Sequence, residues 1–426
     1  MLASVLFTFQ TIVNMFWVGK LGSLEMAAVS LSGSTLGVFQ SLAGIVAAGT
    51  LATCARFSGA NDRNGIIESL SHSLVLTFAF GGILALAAVP FSDLLLRLFG
   101  AEPKVVSLGE PFLTVLLAML PVFFVSIVLA SVFQAFGDTR TPMWVALAVN
   151  VVNLILDPLL ILGWFGFPRL GILGAAIATA ISQALSVVAL LIILARRNLV
   201  RLNLPVRFRY FAILMGIGVP ASLQAITRPL TGQLMFRIVA SFGSPAIAAF
   251  GIGLRLLNIM YIYLGGLTTA CQSLVGQNLG ARRPEDAVRV ATRVQLIALG
   301  LQLVILTALF ILAPQVTRIF NADPGIVRYG TSYLRVLAPF LVIVGLSSAW
   351  SGAQYGAGDT KPTMFAAVIA NWLVKLPFAY ILAKMTSMRL TGVWLGIGLS
   401  IVAEAVILGI TYYRGGWRRK ELAWRS

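Results

Sequence analysis

The chain has 426 residues, of which 59% are apolar and only 11% charged, with a mean hydropathy of +0.94. A water-soluble core of this size cannot hide that much apolar side chain, which excludes a soluble enzyme or binding domain. The net charge of +17 would suggest nucleic acid in a soluble protein. Here it reads instead as the positive-inside bias of a membrane protein, and no nucleic-acid partner is expected.

Apolar runs recur along the chain, each long enough to cross a bilayer core of ~30 Å. Their glycine, alanine and leucine content predicts helices, not alternating barrel strands. Twelve helices are expected: 1–18, 30–55, 69–91, 109–133, 142–163, 171–194, 210–237, 246–273, 290–313, 331–353, 363–383 and 392–413. Helix one barely spans, so the chain is expected to lack the start of that helix, as a fragment or through a late start codon. A signal peptide is the alternative, but the stretch has no basic n-region and no small-residue cleavage site.

The sequence repeats itself at an offset of 221 positions. Residues 21–28 (LGSLEMAA) fall on 242–249 (FGSPAIAA), and 57–60 (FSGA) on 278–281 (NLGA). Residues 99–106 (FGAEPKVV) fall on 320–327 (FNADPGIV), and 136–143 (FGDTRTPM) on 357–364 (AGDTKPTM). Four matches at one offset mean an internal duplication. Six spans per half is an even number, so both halves enter the membrane from the same side. The expected fold is therefore all-α and integral to the membrane, with two six-helix lobes related by a pseudo-two-fold axis along the membrane normal. The lobes are assigned to 1–194 and 210–413, joined by a basic linker, 195–209, that contains Pro205 and serves as a hinge. Residues 414–426 form a tail.

Alternate loops carry 18 and 8 basic residues. The richer set includes Arg196, Arg197, Arg201, Arg207 and Arg209, and it is expected on the cytoplasmic side. Both termini of the full-length protein then face the cytoplasm, in a multi-pass protein of the plasma (inner) membrane. Cys54 and Cys271 lie in or at the ends of helices and show neither disulfide nor metal-ligand spacing. The one histidine, His72, is read as solvated or packed, not catalytic.

Charged residues inside spans are costly and mark sites. In helix five, Asn150, Asn153 and Asp157 recur at i, i+3 and i+7 and share one helix face. A carboxylate with two amides on one stripe can hold a proton or coordinate a small cation through oxygen; the alternative is a helix-end cap. Helix one offers Asn14, one helical step from Gln10. Helix six offers Thr179, Ser182 and Gln183, each of which alone reads as helix–helix glue.

The second half is charged differently. Arg228 and Arg237 lie in helix seven, Arg255 in helix eight, Arg335 in helix ten, Lys375 in helix eleven and Glu404 in helix twelve. Lys375 and Glu404 are expected to pair across neighbouring helices, and Arg237 and Arg335 to snorkel to an interface. Arg228, Arg255, Lys375 and Glu404 make a candidate second-lobe polar site; a structural ion-pair network stays open as the other reading. Asp138 and Asp359, in the Gly-Asp-Thr-basic corners before helices five and eleven, are expected to cap those helices. No phosphate loop, zinc-binding run or nucleophile elbow is present, so no enzyme activity, metal site or cofactor is expected.

The segment Val13-Asn14-Met15-Phe16-Trp17-Val18-Gly19-Lys20-Leu21-Gly22, then Met26-Ala27-Ala28-Val29, Phe136-Gly137-Asp138-Thr139, Asn153-Leu154-Ile155-Leu156-Asp157-Pro158 and Val275-Gly276-Gln277-Asn278-Leu279-Gly280-Ala281 together resemble the multidrug and toxic compound extrusion (MATE) family, in its prokaryotic form. The resemblance covers nearly the whole chain. It implies two six-helix lobes around a central cavity, and export of cationic or amphipathic organic compounds driven by inward H⁺ or Na⁺. It also implies a first-lobe coupling-ion site at Asn153, Asp157 and Thr179, completed by a helix-one aspartate that falls on Asn14 here. The helix-seven glutamate of some members falls on Arg228.

The function expected is a secondary antiporter of small organic molecules, monomeric in the lipid bilayer, with no cofactor and with H⁺ or Na⁺ as coupling ion. The alternative is a lipid-linked oligosaccharide flippase of the wider superfamily, whose mark would be a cationic cavity for diphosphate.

Overall fold

A computed structural model describes residues 14–201 and 207–421. Most of predicted helix one, including Gln10, lies outside the described residues, as does Pro205 of the linker. Residues 14–19 are helical and close that helix, here α1. Five further spans follow in the first half: α2 (Ser23–Gly59), α3 (Arg63–Leu98), α4 (Pro103–Ala118 with Leu120–Ala135), α5 (Arg140–Leu162) and α6 (Ile172–Arg196). The second half holds α7 (Phe208–Ala240), α8 (Ser244–Gly280), α9 (Pro284–Ile311), α10 (Pro324–Gly356), α11 (Lys361–Lys384) and α12 (Arg389–Tyr413). Several helices exceed the predicted spans. At 1.5 Å per residue, the 37 residues of α8 run well beyond an apolar core of ~30 Å.

The halves of α4 meet at a 48° bend at Met119. Pro121 explains it, because its ring clashes with the carbonyl four residues earlier and it has no N–H to donate. Contacts divide the chain into two compact units between Met215 and Gly216, inside α7. The core of the first unit is built on Phe112, Leu113, Leu117, Leu120, Phe124 and Ile161. In the second, Trp394 stacks on Phe250 at 5.9 Å and meets Tyr333 edge-on at 4.9 Å.

Apolar burial does not hold helices together in lipid, so close packing over small residues does. Gly174 of α6 lies so near α5 that a Cβ there would meet the Leu160 carbonyl oxygen at 2.4 Å. In the second unit Gly392 of α12 stands likewise to Leu382 of α11, at 2.5 Å.

The duplication is visible in the backbone. Gly137 and Gly358, 221 positions apart, both adopt the left-handed region, at φ 76° and 74°. Asn61 and Arg282 repeat the agreement at 54° and 59°. Glycine and asparagine suit that region, whereas Arg282 holds it only because the fold imposes the corner.

After the first glycine corner, Asp138 accepts a hydrogen bond from the Thr141 N–H (3.0 Å) at the start of α5, and Arg197 pairs with it at 2.7 Å. After the second, Asp359 is held by Lys420 at 2.9 Å. Each basic partner follows the last helix of its half. Burial works to raise the Asp138 pKa, but the Thr141 and Arg197 hydrogen bonds and the arginine charge outweigh it and hold the group below its ordinary value. Its stabilisation is therefore complete above the ordinary aspartate range and is lost as pH falls through the lower folded value. The Asp138→Asn protein should melt earlier than wild type at pH 7, by no more than ~1 kcal/mol for so exposed a pair. In melting curves between pH 7 and pH 3, the difference should close below about pH 4.

The described ends of the linker dock on α3. Ser71 donates to the Arg201 carbonyl at 3.0 Å, and the Arg207 N–H donates to His72 Nε2 at 3.0 Å. Tyr210 stacks on the His72 ring and donates to the Glu68 carboxylate. His72 is thus a packed anchor.

Candidate functional site

In α5 a helical repeat carries polar groups into the packed interior of the first unit. Asn153 is 1% exposed and Asp157 is fully buried. Neither the Asn153 amide nor the two Asp157 oxygens have a hydrogen-bond partner among the described residues. Asn150, one turn earlier, is half-buried and not without a partner. Pro158 follows Asp157 directly and lies inside the helix. It has no N–H for the Leu154 carbonyl, so the backbone beside the carboxylate has a spare acceptor. The helix ends at Gly163, left-handed at φ 75°, and the Leu170 N–H bonds back to the Leu160 carbonyl at 3.0 Å. That closes α5 and α6 into a tight hairpin.

The contact of Gly174 with Leu160 fixes relative depth in this hairpin. Asp157 lies three residues from Leu160 and Thr179 five from Gly174, both inward from the contact. At 1.5 Å per residue their levels agree within ~3 Å. Thr179 is half-buried; Ser182, one turn on, is fully buried with its hydroxyl unpartnered among the described residues. From α1, the Trp17 ring lies 5.6 Å from that of Trp164, just beyond the end of α5. Asn14, half-buried, stands one turn inward of Trp17. The elements carrying Asn153, Asp157, Thr179 and Asn14 thus converge.

The second unit rearranges the sequence expectation. Glu404 pairs with Arg228, not with Lys375: the Arg228 guanidinium donates to Glu404 Oε1 at 2.6 Å and lies 5.1 Å from the centre of the Tyr261 ring. Lys375 donates to Asn371 Oδ1 (3.1 Å) and Thr231 Oγ1 (3.4 Å). The reason is local. Residues Ile369–Lys375 of α11 form a π-helical segment that carries Lys375 and Asn371 together, and Asn371 with Thr231 takes the lysine's hydrogen bonds. Asn371 and Thr231 were missed. They sit four residues before Lys375 and three after Arg228, and that helical spacing was the available signal. Arg255 is exposed on α8 and takes no part in these contacts. Arg335 lies beside Phe310, 5.8 Å from its ring centre.

The family model described as MatE matches residues 1–159 and 220–381, one block in each half of the repeat. The chain belongs to the MatE family. MatE relatives extend over nearly its full length. A protein named FAD transporter from Shewanella oneidensis is 31% identical over 95% of this chain and 89% of its own. The probable multidrug resistance protein NorM of Thermotoga maritima is 28% identical over 94% and 87%. The multidrug export protein MepA of Staphylococcus aureus is 27% identical over 96% and 90%. Among solved structures, a MATE protein in the bent conformation superposes with a TM-score of 0.88 at 25% identity, covering 98% of this chain and 92% of that one. A MOP superfamily transporter from Pyrococcus furiosus, described as having a binding pocket of reverse polarity, gives 0.85 at 25% identity, over 97% and 93%. The expected family and the twelve-helix, two-lobe membrane fold are both borne out, and this MatE chain is a multi-pass membrane transporter of the multidrug-efflux kind.

Proposed function

We propose that the protein is a secondary active antiporter, exporting organic cations or amphipathic drugs and metabolites in exchange for inward H⁺ or Na⁺ at Asp157. The observation that carries this is the buried Asn153–Asp157 pair with no partner for its oxygens among the described residues. An ionised carboxylate without a counter-charge is costly in apolar surroundings, so the site favours a state in which a proton or a small cation neutralises it. Asn153 and Thr179 add neutral oxygens suited to a hard cation. Asn14 adds another but no second charge, so one carboxylate carries one unit of coupling charge per cycle.

On this reading the protein is a monomer in the plasma membrane with both termini cytoplasmic, in keeping with the 18-to-8 loop charge asymmetry. The lobes 1–194 and 210–413 rock about the linker 195–209. The flippase reading is less favoured, because it gives the buried, unpartnered Asp157 no part to play. The test is uptake of fluorescent amphiphiles, one cationic and one anionic, into inverted vesicles under an imposed pH or Na⁺ gradient. Uptake that follows one gradient is expected and identifies the ion. Uptake of neither amphiphile under either gradient would overturn the antiport reading.

A further inference from the structure

The second unit gathers two cationic side chains around one acid. Arg228 and Glu404 form the ion pair, and Lys375 joins them through Thr231, whose hydroxyl it reaches at 3.4 Å one turn along α7 from Arg228. All of the hydrogen bonds described for Lys375 go to neutral oxygens. The cluster therefore holds one positive charge more than its acid can balance. An uncompensated charge in a membrane interior is costly, and a site that keeps one is made for a counter-charge.

The members of the cluster also differ in depth. The Glu404 side chain is 10% exposed and that of Arg228 35%. Thr231 and Asn371 are buried, and Lys375 is half-buried. The acid and the neutral acceptors are thus the more deeply buried members, and the two cationic side chains keep accessible surface. Glu404 holds one arm of the guanidinium and leaves other N–H donors of its planar fork. Lys375 Nζ has three donors, two of them directed at Asn371 and Thr231. The half-buried Tyr261 ring flanks the guanidinium and adds an aromatic wall.

We infer that Arg228 and Lys375 form a subsite for the anionic group, phosphate or carboxylate, of an amphipathic organic substrate, with the more deeply buried Glu404 positioning Arg228. The inference rests on the reading of the chain as an exporter of organic amphiphiles and narrows that class to molecules carrying a negative group. Thr231 and Asn371 fix the lysine. The π-helical turn of α11 sets Asn371 and Lys375 toward Thr231, consistent with the frequent placing of such turns at functional sites.

The test is equilibrium binding to the purified protein in nanodiscs of zwitterionic lipid, with no ion gradient, read by flavin fluorescence. Riboflavin and riboflavin 5′-phosphate share one ring system and differ in the phosphate. The phosphate form should bind at least about tenfold more tightly. In Lys375→Gln its affinity should fall to that of riboflavin, while riboflavin itself is unchanged. Arg228→Gln/Glu404→Gln removes both members of the ion pair together and leaves no orphaned buried acid, and it should also abolish the preference. Nanodiscs containing phosphatidylglycerol distinguish the source of the anion. Competition there assigns the same subsite to a lipid headgroup as well; unchanged binding assigns it to the soluble amphiphile. Absence of a phosphate-dependent preference in wild type, or its persistence in Lys375→Gln, would overturn the inference. Gradient-driven uptake by the same purified protein reconstituted into sealed vesicles separates the two readings, because uptake of the cationic amphiphile without any phosphate preference sinks the anion subsite alone.

Discussion

In inverted vesicles, Asp157→Asn is expected to reduce gradient-driven uptake to background, a loss of roughly tenfold or more, corresponding to at least ~1.4 kcal/mol of coupling. The substitution keeps the shape of the side chain and removes its capacity to carry a proton or to neutralise a cation. Because Asp157 is fully buried without a hydrogen-bond partner among the described residues, nothing that holds the fold is lost. The variant should therefore reach the membrane in wild-type amount and melt no earlier than wild type. Exchange of labelled for unlabelled amphiphile across the vesicle membrane, which needs no gradient, should continue. Uptake at the wild-type rate under the coupling gradient would remove Asp157 from the mechanism.

Arg228→Ala should show the opposite pattern, with stability as its main casualty. It leaves Glu404 in a pocket where its carboxylate is 10% exposed and its partner is gone. Removing one member of a fully buried ion pair costs ~3–5 kcal/mol. Arg228 is 35% exposed, so solvent screens part of the pair and about 2–3 kcal/mol is the better expectation. Arg228→Ala/Glu404→Met should recover much of that loss, because no charge is then stranded. Melting in a mild detergent reads both variants. A double variant no more stable than the single one would show that the guanidinium acts mainly by packing against Tyr261.

Much of this was legible in the sequence because membranes restrict the choices. Apolar length gave the spans, and the constant 221-residue offset gave the two halves, down to the paired corners at Gly137 and Gly358. Asn153 and Asp157 were visible because a polar stripe at helical spacing has few innocent explanations inside lipid. The Arg228–Glu404 pair was not visible. It joins side chains 176 positions apart on α7 and α12, and no local pattern encodes which of two bases reaches an acid on another helix. Arg255 looked equivalent to Arg228 in composition alone; its exposure on α8 came only with the packing.

The paired corners have a consequence for how the molecule is made. Arg197, which holds Asp138, leaves the ribosome only after α6 is complete, and Lys420, which holds Asp359, only after α12. Each contact ties a mid-lobe corner to the first residues beyond that lobe's last helix. Chains of this length assemble in parts, the earlier part first. The first lobe can thus tie off its own helices while the second is still being synthesised, and the second repeats the step with its own lysine. The two ties are not strict copies: the 221-residue offset carries Arg197 onto Arg418, yet it is Lys420 that holds Asp359, so each half closes its corner with a base of its own.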